Sequence, residues 1–170
     1  MTPYEQLQTA IRDYGDAAMG NFLRCRALGQ AVVEGLPDYL KCPPAHVKLV
    51  PPAGPFDPAK AYGDKAFSYN ENAVIRLEPI SLGVCVIVPN TDDSGSLWLR
   101  TGLRVEVTGE TFDIFVANQP MVQVPLEFTG QLTPVYETIH AELMAVFRKD
   151  LQRFTDERYA GGIGFLPPGM

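Results

Sequence analysis

The residues able to do chemistry are few: two histidines, three cysteines and scattered carboxylates. Glu137 and His140 form Glu-x-x-His, the spacing that carboxylate-bridged di-iron sites place on one helix. Such a site needs a second pair and two more glutamates, and the chain has no second Glu-x-x-His. His140 therefore reads as a hydrogen-bonded structural histidine at the edge of an apolar stripe, near Tyr136 and Met144. His46 follows Pro43-Pro44-Ala45 without a partner close in sequence, so a metal would require the fold to bring His46 and His140 together. The run Asn90-Thr91-Asp92-Asp93-Ser94-Gly95 matches the first half of an EF-hand loop. Thr101, however, stands where a bidentate glutamate belongs, and the segment reads as a solvated strand connection.

Nucleophile and phosphate signatures are missing too. There is no G-x-S-x-G, no P-loop and no G-x-G-x-x-G opening a helix. Gly161-Gly162-Ile163-Gly164 has no helix after it whose dipole would hold a phosphate. No catalytic residue, metal ligand or cofactor is expected. Arg148, Lys149, Arg153 and Arg158 crowd the end of a helical stretch, more cations than the helix terminus alone requires, and Arg148, Lys149 and Arg153 form a candidate anion site. Trp98, Arg100 and Phe115 resist a purely structural explanation. They fall on the polar side of a strand alternation, and Trp and Arg are enriched where partners bind. The competing expectation is that Phe56, Phe67 or Tyr69, from a preceding proline-rich segment, folds over them.

The elements that must carry these groups are well marked. Thr2-Pro3 with Glu5 is a capping box, and it opens a helix whose stripe is Tyr4, Leu7, Ile11, Tyr14, Ala18, Phe22, Cys25 and Val32. Gly15, Gly20 and Gly29 interrupt it at about 1 kcal/mol each against alanine. Gly15 and Gly29 fall on the stripe itself, beside Ala18 and Cys25, which predicts close approach of another helix; a break near Gly20 is the alternative. Gly35 and Pro37 are expected to end the helix. Residues 36–72 form a proline-rich strap with a possible edge strand at His46 to Val50 and a twofold PxxP spacing at Pro52 to Pro58. The PxxP match is weak, and a semi-rigid surface strap is the better reading.

Residues 73–128 predict an antiparallel meander with strands at Val74–Glu78, Leu82–Val88, Leu97–Val107, Thr111–Val116 and Met121–Phe128. At the Thr108-Gly109-Glu110 hairpin two registers compete. One places Glu106 opposite Asp113; the other places Arg104 there and asks Thr108 for a positive φ. Thr133-Pro134 opens a final helix to about Tyr159, with stripe Val135, Tyr136, Ile139, Leu143, Val146, Phe147, Leu151 and Phe154. Glu137, Glu142 and Lys149 are expected on its polar side. Residues 160–170 read as a loose tail, or one docked by Phe165 and Leu166. One sheet face is apolar and the other mixed, so both helices should lie on the apolar face, giving a two-layer α+β sandwich in one 1–170 domain.

The bulk numbers exclude some functions. At 170 residues the chain is long enough for a substantial core. A net charge of -6 argues against nucleic acid, which needs clustered cations. No apolar run reaches the ~20 residues that cross a bilayer, and the polar start is not a signal peptide. Three cysteines without C-x-x-C favour reduced thiols and a cytoplasmic setting. The expected function is thus a non-enzymatic binding or accessory protein, a homodimer or partner of another protein, acting through the exposed sheet face. The alternative is a helix-grip small-molecule binder or enzyme, recognisable by a cavity of ~300 Å³ or more with convergent polar groups.

Overall fold

The Thr2 cap is built as its sequence demands: Thr2 Oγ1 accepts from Glu5 N at 3.1 Å and Glu5 Oε2 accepts from Thr2 N at 2.7 Å. From there α1 runs unbroken over Pro3–Leu40 in the computed structural model. That model describes residues 1–68, 77–92, 94–156 and 163–166, with only the helical backbone described for 152–156. Gly15 and Gly20 do not break the helix, and Gly35 and Pro37 do not end it. Pro37 sits within the last turn, and its missing N–H forfeits one bond, to the Val33 carbonyl, close to the helix end. The stop is Lys41 in the left-handed region (φ 61), where the Lys41 and Cys42 N–H groups both donate to the Pro37 carbonyl.

Six strands form one antiparallel sheet. β1 is Val47–Val50, β2 Ile80–Pro89, β3 Ser96–Thr108, β4 Thr111–Val116 and β5 Val122–Pro125, paired in that order. A second helix, α2, spans Thr133–Asp156. A last strand, β6 (Ile163–Leu166), pairs with the first part of β3, beside β4. This is a two-layer α+β arrangement. α1 lies over β1 and β2, and α2 over β3, β4 and β5. The core between the layers joins Phe22, Cys25, Leu28 and Val32 of α1 and Val135, Ile139 and Leu143 of α2 to Leu82, Val84, Leu103, Val105, Phe112 and Ile114 of the sheet.

Several local expectations change. The hairpin adopts Thr108↔Thr111, so Gly109-Glu110 is the turn and Glu106 faces Asp113. Gly109 takes φ 63 at the first turn position, where only glycine is unstrained, and that preference outweighs the like-charge pair. The charges are relieved sideways: Arg104 Nε lies 3.4 Å from Glu106 Oε1, while Asp113 Oδ1 accepts from Thr111 Oγ1 and Gln123 Nε2. The strand expected at Met121–Phe128 is limited to Val122–Pro125. Of the strand expected at Val74–Glu78, residues 74–76 lie outside the described set, and Leu77 and Glu78 form a bend. The tail is not loose at Ile163–Leu166, which adds backbone pairs to β3.

The glycines also serve differently. A side chain at Gly29 would meet the Phe67 ring at 2.9 Å and Leu82 at 3.2 Å, so Gly29 brings α1 onto the sheet rather than onto α2. Helix meets helix at Gly35, against the Tyr136 hydroxyl, whereas among the described residues no other element lies within 4 Å of where a side chain at Gly15 would begin. On α2, Glu142 is buried instead of solvent-facing, and Leu151 of the stripe is exposed where the helix overhangs the sheet. On α1 the stripe divides: from Ala18 onward it is buried, but Tyr4, Leu7, Ile11 and Tyr14 are exposed.

Candidate functional site

The sheet face opposite the helices is largely occupied by the strap. Gly83 and Gly102 pair across β2 and β3, leaving a trough without side chains. The chain crosses it at Val50–Pro52, whose carbonyls lie 2.6 to 3.6 Å from where side chains on these glycines would begin. Arg100 anchors the crossing. Its Nη1 donates to the Pro51 and Gly54 carbonyls at 3.3 and 2.8 Å, and its guanidinium lies 4.4 Å from the Phe56 ring centroid. Phe56 in turn meets Trp98 edge to face at 4.7 Å. Burial lowers the Arg100 pKa, and it raises the thiol of Cys85 beneath the strap to about 11. Lys48 Nζ and Tyr62 Oη fix the far end, at Pro58 O and Asp57 N.

Trp98 and Arg100 are therefore spent on the chain's own strap. Phe115 lies further along, under the Arg104 guanidinium at 4.5 Å, beside a shallow hollow of about 220 Å³. Of the three cations proposed for an anion site, Lys149 is 3.6 Å from the buried carboxylate of Glu142, which also accepts from Gln119 Nε2 at 2.9 Å. Arg148 is exposed, and the side chain of Arg153 and all of Arg158 lie outside the described residues. Among the described side chains, the geometry joins Lys149 to a carboxylate and leaves Arg148 at the surface.

The geometry also brings together the two histidines. A cavity of about 570 Å³ opens between the end of α1, the turn Pro44–His46, strands β2 and β3, and α2. Val86, Val88 and Leu99 form its sheet wall, and Leu143, Met144 and Phe147 form its α2 wall. Lys41, Cys42, His46 and His140 supply the polar groups. Each is placed by a local cause. The left-handed cap turns the chain at Lys41, and Pro43-Pro44 then force the short helical turn that carries His46 to the start of β1. His140 is one turn past Tyr136, and the Tyr39 ring lies 6.5 Å from the imidazole, edge on. Cys42 is half-buried, and burial raises its pKa. Among the described residues no group of three or more His, Cys, Asp or Glu side chains is placed to hold a metal ion.

A larger groove of about 710 Å³ runs between α1 and the β3–β4 hairpin end, lined by Asp16, Asn21, Arg24, Glu78 and Glu106. No site is built on it. Lys41 and Cys42 were missed as site residues. Their sequence signal is weak: a cysteine and a lysine between a helix end and a Pro-Pro pair. No helix among the described residues is long and apolar enough to cross a membrane. Protein-family models, curated proteins and solved structures gave no match to this chain, so the geometry alone carries the functional reading.

Proposed function

We propose that this protein binds a small amphipathic molecule, with an apolar body and an anionic or hydrogen-bonding head, between its sheet and α2. The observation that carries this reading is the 570 Å³ cavity whose lining joins six apolar side chains of the sheet and α2 with Lys41, Cys42, His46 and His140. Its volume falls within the ~300–1,000 Å³ of small-molecule sites, and a few polar groups around an apolar lining are their usual composition. Lys41 adds a second support. A left-handed cap favours glycine, and a lysine there costs roughly 1–2 kcal/mol in backbone energy. A residue kept in such a conformation at a cavity rim suits a functional role. The sheet-face binding first expected from the sequence is less favoured because Trp98 and Arg100 already bind the strap.

Titration with decanoate and decanol, followed by isothermal calorimetry and backbone NMR shifts, tests the reading. Saturable one-to-one binding is expected, with shifts at Val86, Leu99, His140 and Met144. Lys41→Gly should weaken decanoate about tenfold, or about 1.4 kcal/mol, and leave decanol little changed. Bound decanoate should slow alkylation of Cys42. Absence of saturable binding by both probes, or shifts confined to another surface, would overturn it.

A further inference from the structure

We infer that the first half of α1 is a self-association surface that pairs antiparallel with the same segment of a second copy of this chain. Tyr4, Leu7, Ile11, Tyr14 and Ala18 recur at alternating intervals of three and four, the seam of a two-helix coiled coil. Tyr4, Leu7, Ile11 and Tyr14 are 70, 64, 72 and 45% exposed, and Met1 before them is 83% exposed. At roughly 200 Å² for a large side chain, these five present on the order of 650 Å² of apolar surface. That exceeds the ~300–600 Å² patch of an ordinary monomer and, with the flanking positions, approaches the ~800 Å² per partner of a stable interface.

The composition selects a second copy over other occupants. Every position on or beside the seam is uncharged, with Gln8, Ala10, Gly15 and Ala17 flanking it, whereas Glu5, Arg12, Asp13 and Asp16 all fall on the far side. Charge depletion with tyrosine enrichment is the pattern of an interface core. A membrane-surface helix would instead carry lysine and arginine on its polar face, and this one is mainly acidic. Gly15 gives a separate indication. A glycine inside an exposed helix is unfavourable, and among the described residues nothing outside its own stretch of helix lies within 4 Å of where its side chain would begin. A helix arriving there gives the small residue a purpose. About a two-fold axis level with Thr9, Leu7 meets the partner's Ile11 and Tyr4 meets the partner's Tyr14, so the seam is complementary to itself.

Sedimentation equilibrium on the full chain tests this. Wild type is expected to dimerise. Leu7→Glu should weaken the dimer at least a hundredfold without changing circular dichroism. Adding Ile11→Lys to Leu7→Glu should restore affinity to within tenfold of wild type, because each new acid then faces a new base only in the antiparallel register. A wild type that stays monomeric, a Leu7→Glu variant that stays dimeric, a double variant no better than the single one, or flotation with phosphatidylcholine vesicles in place of self-association would each overturn the inference.

Discussion

α1 carries one apolar stripe along a single face, and its two halves use it in opposite ways. From Ala18 to Leu36 that face lies on the sheet, with Ala18, Cys25, Leu28, Val32 and Leu36 at 1% exposure or less. From Tyr4 to Tyr14 the same face is exposed, by 45 to 72%. The junction is pinned by polar contacts: Leu77 N donates to Tyr14 Oη at 2.9 Å, and Asn21 Nδ2 donates to Glu78 O at 3.1 Å. The difference separates two properties that periodicity merges. Spacing at 3.6 residues fixes which face is apolar, and whatever lies beneath that face decides whether it is buried.

The largest expected contrast between the halves is in side-chain truncation. Phe22→Ala should lower stability by about 3–5 kcal/mol, since it removes a core ring packed edge to face on Phe67 at 5.9 Å. Tyr4→Ala should change monomer stability by about 0.5 kcal/mol or less. Urea denaturation at low protein concentration measures both, and a large loss at Tyr4 would break the comparison.

The buried half alone should also be sensitive to alkali. Burial raises the Cys25 thiol from 9.0 to about 11, so the folded state holds its proton where the unfolded chain releases it. The stabilisation is complete below pH 9 and is lost as the pH rises towards 11, at up to about 1.4 kcal/mol per pH unit for this thiol. Urea midpoints of wild type and Cys25→Ala should therefore converge between pH 9 and 11. In alkylation at neutral pH, Cys42 should react first, and Cys25 and Cys85 only on unfolding.

The glycines provide a contrast of opposite sign. Gly29→Ala should destabilise by about 1–3 kcal/mol, because its methyl would press on the Phe67 ring at 2.9 Å. Gly15→Ala should stabilise the monomer by about 0.5–1 kcal/mol, because nothing among the described residues opposes the methyl and the helix gains a better former. Equal effects at the two positions would mean that both halves are covered. A smaller effect than at Gly29 is expected at the junction. Tyr14→Phe should cost roughly 0.5–1.5 kcal/mol and increase amide exchange at Leu77, whose N–H then loses its acceptor.

Much of the fold was legible. The alternation in β3 and β4 correctly divided Leu99, Leu103, Val105, Ile114 and Val116 from Trp98, Arg100, Arg104 and Phe115. Side chains on a strand alternate whatever surrounds it. The candidate site was far less legible. Nothing in the spacing of His46 and His140, 94 residues apart, indicates that both line one cavity. Glu142 read as a polar-face residue until Gln119 and Lys149 were seen to satisfy it beneath the surface.

What the sequence determined by itself has causes within a turn or a strand pair. The capping box at Thr2, the apolar face of each helix, the outward and inward positions of β3 and β4, and the need for glycine in the Gly109-Glu110 turn all follow from neighbours a few residues apart. Only the tertiary structure decided which stretch of the α1 face is covered, that the strap takes Trp98 and Arg100, and that α1, β2 and α2 leave a cavity edged by Lys41 and both histidines. Those outcomes depend on how long each element is relative to the layer it rests on, and on groups that meet across 40 to 100 residues of chain. No local pattern encodes such distances.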